Sequence, residues 1–268
     1  MSSVASNGLV HRITASHATY RILTLAIFAA AWEAYASQAR SLLIPKFTDT
    51  VTGFFTLLTD RHFWEALIIS NQALVLGFAI SVVLGIPLGL AMGRFRVAER
   101  AVDVYLNILL VTPMAALIPI LLMSPLGLSL ASRVVLVVMF SIVMVVVNSR
   151  AGVRQVDPSL IEMARSFGAS ERQIWWRVLL PGSLPAVMTG VRIGLGRAVT
   201  GMVIVELLLV AAGIGGLILE YRGFFKADLL YGTVVIIVLE ALALITVARW
   251  LERRVTPWAR HRGVMERA

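Results

Sequence analysis

Two glutamates, Glu206 and Glu240, interrupt long apolar stretches of this sequence. A carboxylate at membrane depth costs a few kcal/mol, so it usually marks a proton relay, a ligand site or an ion pair between helices. Both residues are therefore candidates for proton transfer. Glu206 is also a candidate for a pathway or gate, and the alternative is that it pairs with an arginine or a backbone group between helices.

Three uncharged polar residues, Asn107, Thr112 and Asn148, lie in other apolar stretches. Side chains of this kind could line a polar path through a membrane. Isolated polar residues in spans more often make hydrogen bonds between helices. Both roles stay open for these three residues.

Residues for hydrolytic or metal chemistry are missing from the sequence. A phosphate-binding loop needs Gly-Lys before Ser or Thr, and the two lysines, Lys46 and Lys226, follow Pro and Phe. The chain has no cysteine, and its four histidines show no metal-ligand spacing. We therefore expect no catalytic residue, no metal and no cofactor in this chain, and no enzyme activity of its own.

The elements that must position these residues are membrane helices. Hydrophobic residues make up 59% of the chain, charged residues only 15%, and the mean hydropathy is +0.86. This composition predicts an all-α integral membrane protein with about six transmembrane helices. The apolar segments are residues 22–36, 66–93, 104–132, 134–148, 184–219 and 229–248.

The predicted organisation has three parts. Residues 1–64 hold the first span and an external excursion, residues 65–250 form the transmembrane domain, and residues 251–268 form a basic tail. Ala34, Tyr35 and Ala36 also resemble the cleavage site of a signal peptide. The sequence leaves open whether residues 1–36 are retained or cleaved.

Glycines at 85, 89 and 93 recur every four residues within the second apolar segment. Small residues on one stripe of a membrane helix let another helix approach closely. We therefore predict that Gly85, Gly89 and Gly93 form a helix-packing stripe.

The basic residues predict the orientation in the membrane. Sixteen Lys and Arg side chains flank one side of the spans and six flank the other. The positive-inside rule places the richer side, with both termini, in the cytoplasm. The net charge of +9 is thereby explained without nucleic acid.

A polar stretch from Asp157 to Pro181, called here the central loop, lies on that same side. Asp157 and Pro158 are typical of a helix start, and Gly168 of its end. Leu160, Ala164 and Phe167 are expected to share one apolar face of this helix. It is too short to cross a bilayer.

A second short helix is expected after the first. Ser170 and Gln173 fit a capping box at its start. Pro181 and Pro185 are expected to end it at the membrane surface.

The central loop resembles the cytoplasmic signature of permease subunits of ATP-driven, binding-protein-dependent importers. The family pattern is Glu-Ala-Ala, a glycine six residues after the Glu, and hydrophobic-x-Leu-Pro ending nineteen after it. Met163 replaces the first alanine of that pattern. The matching positions are Glu162, Ala164, Gly168, Val178, Leu180 and Pro181.

The resemblance implies a transmembrane domain of the type I ABC importer fold, in a bacterial inner membrane. Glu162, Met163, Ala164, Gly168 and Pro181 would then couple the chain to a separate ATPase subunit that binds ATP and Mg. Implied partners are an extracytoplasmic substrate-binding protein and a second permease copy, identical or related.

The substrate is less defined. The segment after Pro181 is similar to the sulfonate, nitrate and taurine branch, which implies a small organic or inorganic anion. Ser124 to Gly127 depart from that branch, so the substrate itself stays open.

Two other hypotheses remain at this point. A proton- or ion-coupled secondary transporter would use Glu206 and Glu240, although no inverted repeat is visible in the sequence. A purely structural membrane subunit would show no transport phenotype when deleted.

Overall fold

The structure is a computed structural model that describes residues 17–39, 41–208 and 212–260. Every regular element in these ranges is helical, which confirms the predicted all-α class. The first part of residues 1–64 and the end of the predicted basic tail lie outside the described residues. The chain forms two compact units, Met1–Asp60 with Glu220–Ile236, and Arg61–Leu219 with Ile237–Ala268.

The first unit contains helices α1 (His17–Ala39) and α2 (Phe47–Thr59). The backbone N–H of Thr48 donates to Glu33 over 3.0 Å, and the Thr48 hydroxyl donates to the same carboxylate. Glu33 is thereby used to join the two helices.

The second unit contains the remaining helices. Two of them, Gly213–Gly223 and Ala227–Val255, belong partly to the first unit. The second unit also holds a π-helical turn, Trp175–Leu179, and a 3₁₀ turn, Met114–Leu117. The helices are α3 (Arg61–Arg94), α4 (Arg96–Val111), α5 (Ile118–Leu122), α6 (Leu130–Arg154), α7 (Pro158–Ser166), α8 (Glu171–Ile174), α9 (Leu180–Leu208), α10 (Gly213–Gly223) and α11 (Ala227–Val255).

Three described helices, α3, α6 and α11, are long and apolar enough to cross a membrane by themselves. Two bent pairs raise this number to five if each pair is one span: α4 with residues 114–121, and residues 171–208 with α10. The predicted count of six is not confirmed, because α1 is not among these candidates.

The apolar run 104–132 is not the single straight helix that its length suggests. The chain bends by 97° between α4 and the following helical residues. Pro113 lacks a backbone N–H and forces Thr112 into an extended conformation, with φ −72° and ψ 126°. The helix therefore ends at Val111.

Helices α3, α6 and α9 pack together as the core of the second unit. The glycine stripe of α3 faces α6. A Cβ on Gly89 would lie 2.4 Å from the Val146 carbonyl oxygen, and one on Gly93 would lie 2.6 Å from Val153 Cβ. A Cβ on Gly85 would lie 3.0 Å from a methyl group of Val145. The structure thus places the stripe where the two backbones approach closely.

Candidate functional site

The central loop begins with a capped helix, as its sequence predicts. The side chain of Asp157 accepts a hydrogen bond from the Ser159 N–H at 2.9 Å, and Pro158 follows at the first helical position. Gly168 has φ +73°, a left-handed conformation that a side chain disfavours. Its N–H donates to the Arg165 carbonyl at 2.9 Å. These contacts fix both ends of α7.

The faces of α7 agree only in part with the prediction. Ile161 and Ala164 pack on a buried cluster that includes Leu90, Val153 and Ile174. Leu160, Met163 and Phe167 are 38%, 53% and 85% exposed. Leu160 and Ala164 line one cavity together, as the predicted face requires, whereas Phe167 does not line it. We call Leu160, Met163 and Phe167 the α7 stripe.

The second short helix of the central loop is also different from its prediction. The capping box of Ser170 and Gln173 is confirmed, with both reciprocal hydrogen bonds present. The helix does not end at the prolines, because residues 171–208 run on through the π turn into α9 with Pro185 inside. A π turn just before Pro181 changes the hydrogen-bond register where a proline ring would otherwise clash with a carbonyl. The central loop therefore holds one separate short helix, and α8 is an extension of a longer one.

A cavity of about 640 Å³ lies beside α7. Its walls include Met163, Ala164 and Pro181, three of the five residues predicted to couple the chain to an ATPase. Glu162 and Gly168 are exposed on α7 and at its end, and neither lines this cavity. The remaining walls come from Leu160 of α7, Gln155 after α6, the π turn, the first turns of α9 and the chain after α11.

Glu206 is 1% exposed and lies in a polar cluster built from four helices. Its Oε2 accepts hydrogen bonds from the Ser70 hydroxyl at 2.6 Å and from the Gly215 N–H at 3.1 Å. The Ser70 hydroxyl oxygen in turn accepts from the Ile214 N–H at 2.9 Å. Oε1 lies 3.6 Å from Arg133 Nη1, within ion-pair range but beyond hydrogen-bonding distance.

This cluster accepts hydrogen bonds from backbone N–H groups in the first turn of α10. The unpaired N–H groups at a helix start carry partial positive charge, and a carboxylate compensates it. Gly213 has φ +64°, and a Cβ there would lie 2.4 Å from Ser70 Oγ. A Cβ on Gly215 would lie 2.4 Å from Glu206 Cβ. Glu206 thus occupies a space that side chains at these glycines would fill.

Glu240 has a different environment from Glu206. Its Oε1 accepts one hydrogen bond, from Asn71 Nδ2 at 2.7 Å. Its Oε2 is buried without a hydrogen-bond partner among the described residues. The two glutamates therefore have separate sets of partners, and the structure does not join them into one relay.

The three uncharged candidates for a polar path make hydrogen bonds within their own helices. Asn107 donates to Asp103 at 3.1 Å, and Thr112 donates to the Ile108 carbonyl at 2.7 Å. Asn148 donates to the Met144 carbonyl at 2.8 Å. Their place in a pathway stays a prediction.

Sequence reasoning missed the partners of both sites. Ser70 and Arg133 complete the Glu206 cluster, and Glu171 pairs with Arg94 and Arg165 beside α7. Arg133 at the edge of an apolar run was visible as a counter-charge for a membrane carboxylate. Nothing in the sequence around Ser70 indicated that it would bind Glu206.

Comparison with known proteins gives a consistent result. Residues 81–261 match the family model described as binding-protein-dependent transport system inner membrane component. The chain is 30% identical over 247 residues to the taurine transport system permease protein TauC of Escherichia coli (strain K12), covering 90% of both. It is 32% identical over 216 residues to the putative aliphatic sulfonates transport permease protein SsuC of the same strain, covering 81% of this chain and 82% of that protein.

A solved structure shares the fold. A chain of the inward-facing MetNI methionine ABC transporter superposes with a TM-score of 0.59, covering 73% of this chain and 95% of that chain. The sequence identity is 22%, so this likeness concerns the fold alone.

Proposed function

This chain belongs to the family of binding-protein-dependent transport system inner membrane components, and we propose that α7 is the surface on which a separate ATPase docks. The chain is the substrate-translocating permease subunit of an ABC importer and a multi-pass inner-membrane protein. Its relatives favour ATP-driven import over the ion-coupled hypothesis.

The observation that carries the docking proposal is the exposed α7 stripe. The central loop is too polar and α7 too short to span a bilayer, yet Phe167 is 85% exposed. Apolar residues at i, i+3 and i+7 on a capped helix suit a groove in a partner protein. Docking would cover this surface and leave Ile161 and Ala164 packed on their own cluster.

The ATPase partner would hold ATP and Mg and supply the hydrolysis for which this chain has no phosphate-binding loop. An extracytoplasmic binding protein would deliver the substrate. A second permease copy, identical or related, would complete the pathway, because a few spans enclose only a narrow pore.

The proposed substrate is a small organic compound with an anionic group such as a sulfonate. TauC is named for taurine and SsuC for aliphatic sulfonates, and both resemble this chain over most of its length. Vesicles containing the complete importer test this class by competition between a labelled alkanesulfonate, unlabelled alkanesulfonates and a neutral amide of similar size. Uptake that prefers the neutral compound would contradict the proposal.

Phe167→Arg tests the docking surface. A charge on the α7 stripe should prevent copurification of the ATPase and reduce ATP-dependent uptake to background, while insertion stays normal. Phe224→Arg is the matched control, because Phe224 is also exposed, at 68%, and is not a residue of the central loop. Normal copurification with Phe167→Arg would contradict docking on α7.

Cysteine labelling tests the proposed cytoplasmic position of both termini and the central loop. The chain has no cysteine, so single cysteines report without background. A membrane-impermeant thiol reagent should label Ser129→Cys and Gly223→Cys in intact cells. It should label Ser170→Cys only after the membrane is opened, and labelling in sealed cells would reverse the orientation.

A further inference from the structure

We propose that Glu171 is a positioning residue that transmits movement of α7 to the spanning helix α3 through two ion pairs. This inference rests on the proposed function, because it takes α7 as the surface that the ATPase moves. It assigns a role to a residue outside the family signature.

The two carboxylate oxygens of Glu171 bind two different helices. Oε2 accepts from Arg94 Nη2 at 2.7 Å, and Oε1 accepts from Arg165 Nη2 at 2.8 Å. Arg94 is the last residue of α3, and Arg165 lies in the last turn of α7. One carboxylate therefore connects the end of a spanning helix with the end of the docking helix.

Glu171 is well placed to act as a fixed point. It follows the N-cap Ser170, whose backbone N–H donates to the Gln173 side chain at 2.7 Å. The same short helix buries Ile174 completely and continues through the π turn into α9. Glu171 is therefore anchored to the body of the second unit.

Helix α7, in contrast, is only lightly attached. None of its residues is buried, and Ile161 and Ala164 pack only partly on the neighbouring cluster. The Arg165 ion pair adds a side-chain contact between the C-terminal end of α7 and Glu171.

The receiving end of this connection is rigid. Just before Arg94, Gly89 and Gly93 let α3 approach α6 so closely that an added Cβ would overlap backbone or side-chain atoms. Just after it, the Phe95 and Trp175 rings lie 6.0 Å apart between centroids. A displacement reaching Arg94 is therefore passed to a packed helix pair instead of being lost in a loop.

The two ion pairs of Glu171 are suited to positioning α7 and add little to the folding stability of the protein. The hydrogen bonds from Arg94 and, next, from Arg165 lower the pKa of Glu171, so the carboxylate stays ionised until the pH falls through this lowered value. Glu171 and Arg165 are 59% and 52% exposed, and ion pairs this exposed contribute little to folding stability. Their effect is expected in the position of α7.

Glu171→Gln tests the proposal in the complete importer. It should keep the ATPase bound and hydrolysing ATP, while uptake per ATP falls by about fivefold or more, the lower end of typical coupling between sites. Glu65→Gln is the matched control, since Glu65 is 54% exposed against 59% for Glu171, and its ion pair with Arg61 at 2.8 Å lies within one helix. Uptake per ATP in Glu171→Gln equal to that control would overturn the inference, and so would loss of ATPase binding.

A charge exchange gives a second test that does not depend on the first variant. Arg94→Glu alone should uncouple uptake, and Arg94→Glu combined with Glu171→Arg should restore part of it by re-forming one pair. If the double variant recovers no uptake, the proposed link to α3 is contradicted. Failure of the docking proposal is recognised separately, by normal ATPase copurification with Phe167→Arg.

Discussion

The Glu206 cluster and the α7 stripe are built in opposite ways. Glu206 is 1% exposed and has partners from three other helices, including a hydroxyl, a helix N-terminus and an arginine. The α7 stripe exposes Leu160 by 38%, Met163 by 53% and Phe167 by 85%. The charged group is buried, with one of its two carboxylate oxygens hydrogen-bonded, whereas the apolar groups are partly or largely exposed.

This contrast separates structural from interactive residues. A buried charge whose neighbours supply its hydrogen bonds holds helices in place, and removing it leaves those neighbours uncompensated. An exposed apolar row on a polar loop is typical of a surface that another molecule covers. Variants of the Glu206 cluster should therefore lower folding stability, whereas variants of the α7 stripe should weaken binding of a partner.

Glu206→Ala should have the largest effect on folding. It leaves Arg133 and the first turn of α10 without their carboxylate, so we expect a loss of about 3–5 kcal/mol in the free energy of unfolding. Thermal unfolding in detergent measures this. A variant as stable as the wild type would mean that Glu206 is held for transport instead of structure.

Gly89→Leu should destabilise the protein by about 1–3 kcal/mol, because the new side chain meets the Val146 carbonyl and Ser149. Gly196→Leu is a suitable control, since a Cβ there has only Ile245 Cδ1 nearby, at 4.0 Å. Blue-native electrophoresis and thermal unfolding should separate the two variants. Equal behaviour would show that the helices of the stripe can move apart freely.

Glu240→Gln should cost about 1 kcal/mol or less, because an amide oxygen can still accept the hydrogen bond from Asn71. ATP-dependent uptake should be retained. If wild-type uptake depends on a pH gradient and uptake by Glu240→Gln does not, the ion-coupled hypothesis would be supported instead.

Glu162→Lys should change the free energy of unfolding least, within about 0.5 kcal/mol, because Glu162 is exposed on α7. It should nevertheless abolish ATP-dependent uptake if α7 is the docking surface. Thermal unfolding and vesicle uptake, measured on one preparation, test both parts. Normal uptake with normal ATPase copurification would contradict the assignment of Glu162.

Local features of the sequence predicted much of the central loop correctly. The Asp157 cap, the Ser170 and Gln173 capping box and the left-handed Gly168 were each found in the structure. Such features depend on neighbouring residues and on the conformational range of one residue, which the sequence contains. Pro181 and Pro185 were misjudged, because a π turn lets the helix continue past them.

Longer-range features were harder to predict. The apolar run 104–132 is long enough for one span, but Pro113 and the bend of 97° divide it. Apolar spacing grouped Ala164 with Leu160 and Phe167, but Ala164 packs on the buried cluster whereas Phe167 is 85% exposed. Helical periodicity identifies apolar positions but not which neighbour covers them.

The sequence by itself determined that this is a helical membrane protein, that a capped polar loop interrupts its spans, and that this loop carries a permease signature. Composition, caps and residue spacing are sufficient for these conclusions. Only the tertiary structure decided that Glu206 holds the start of α10 through Ser70 and that Glu171 joins α7 to α3. Those contacts join residues 136 and 77 positions apart in the chain. Their partners are fixed by helix packing, which no local pattern specifies.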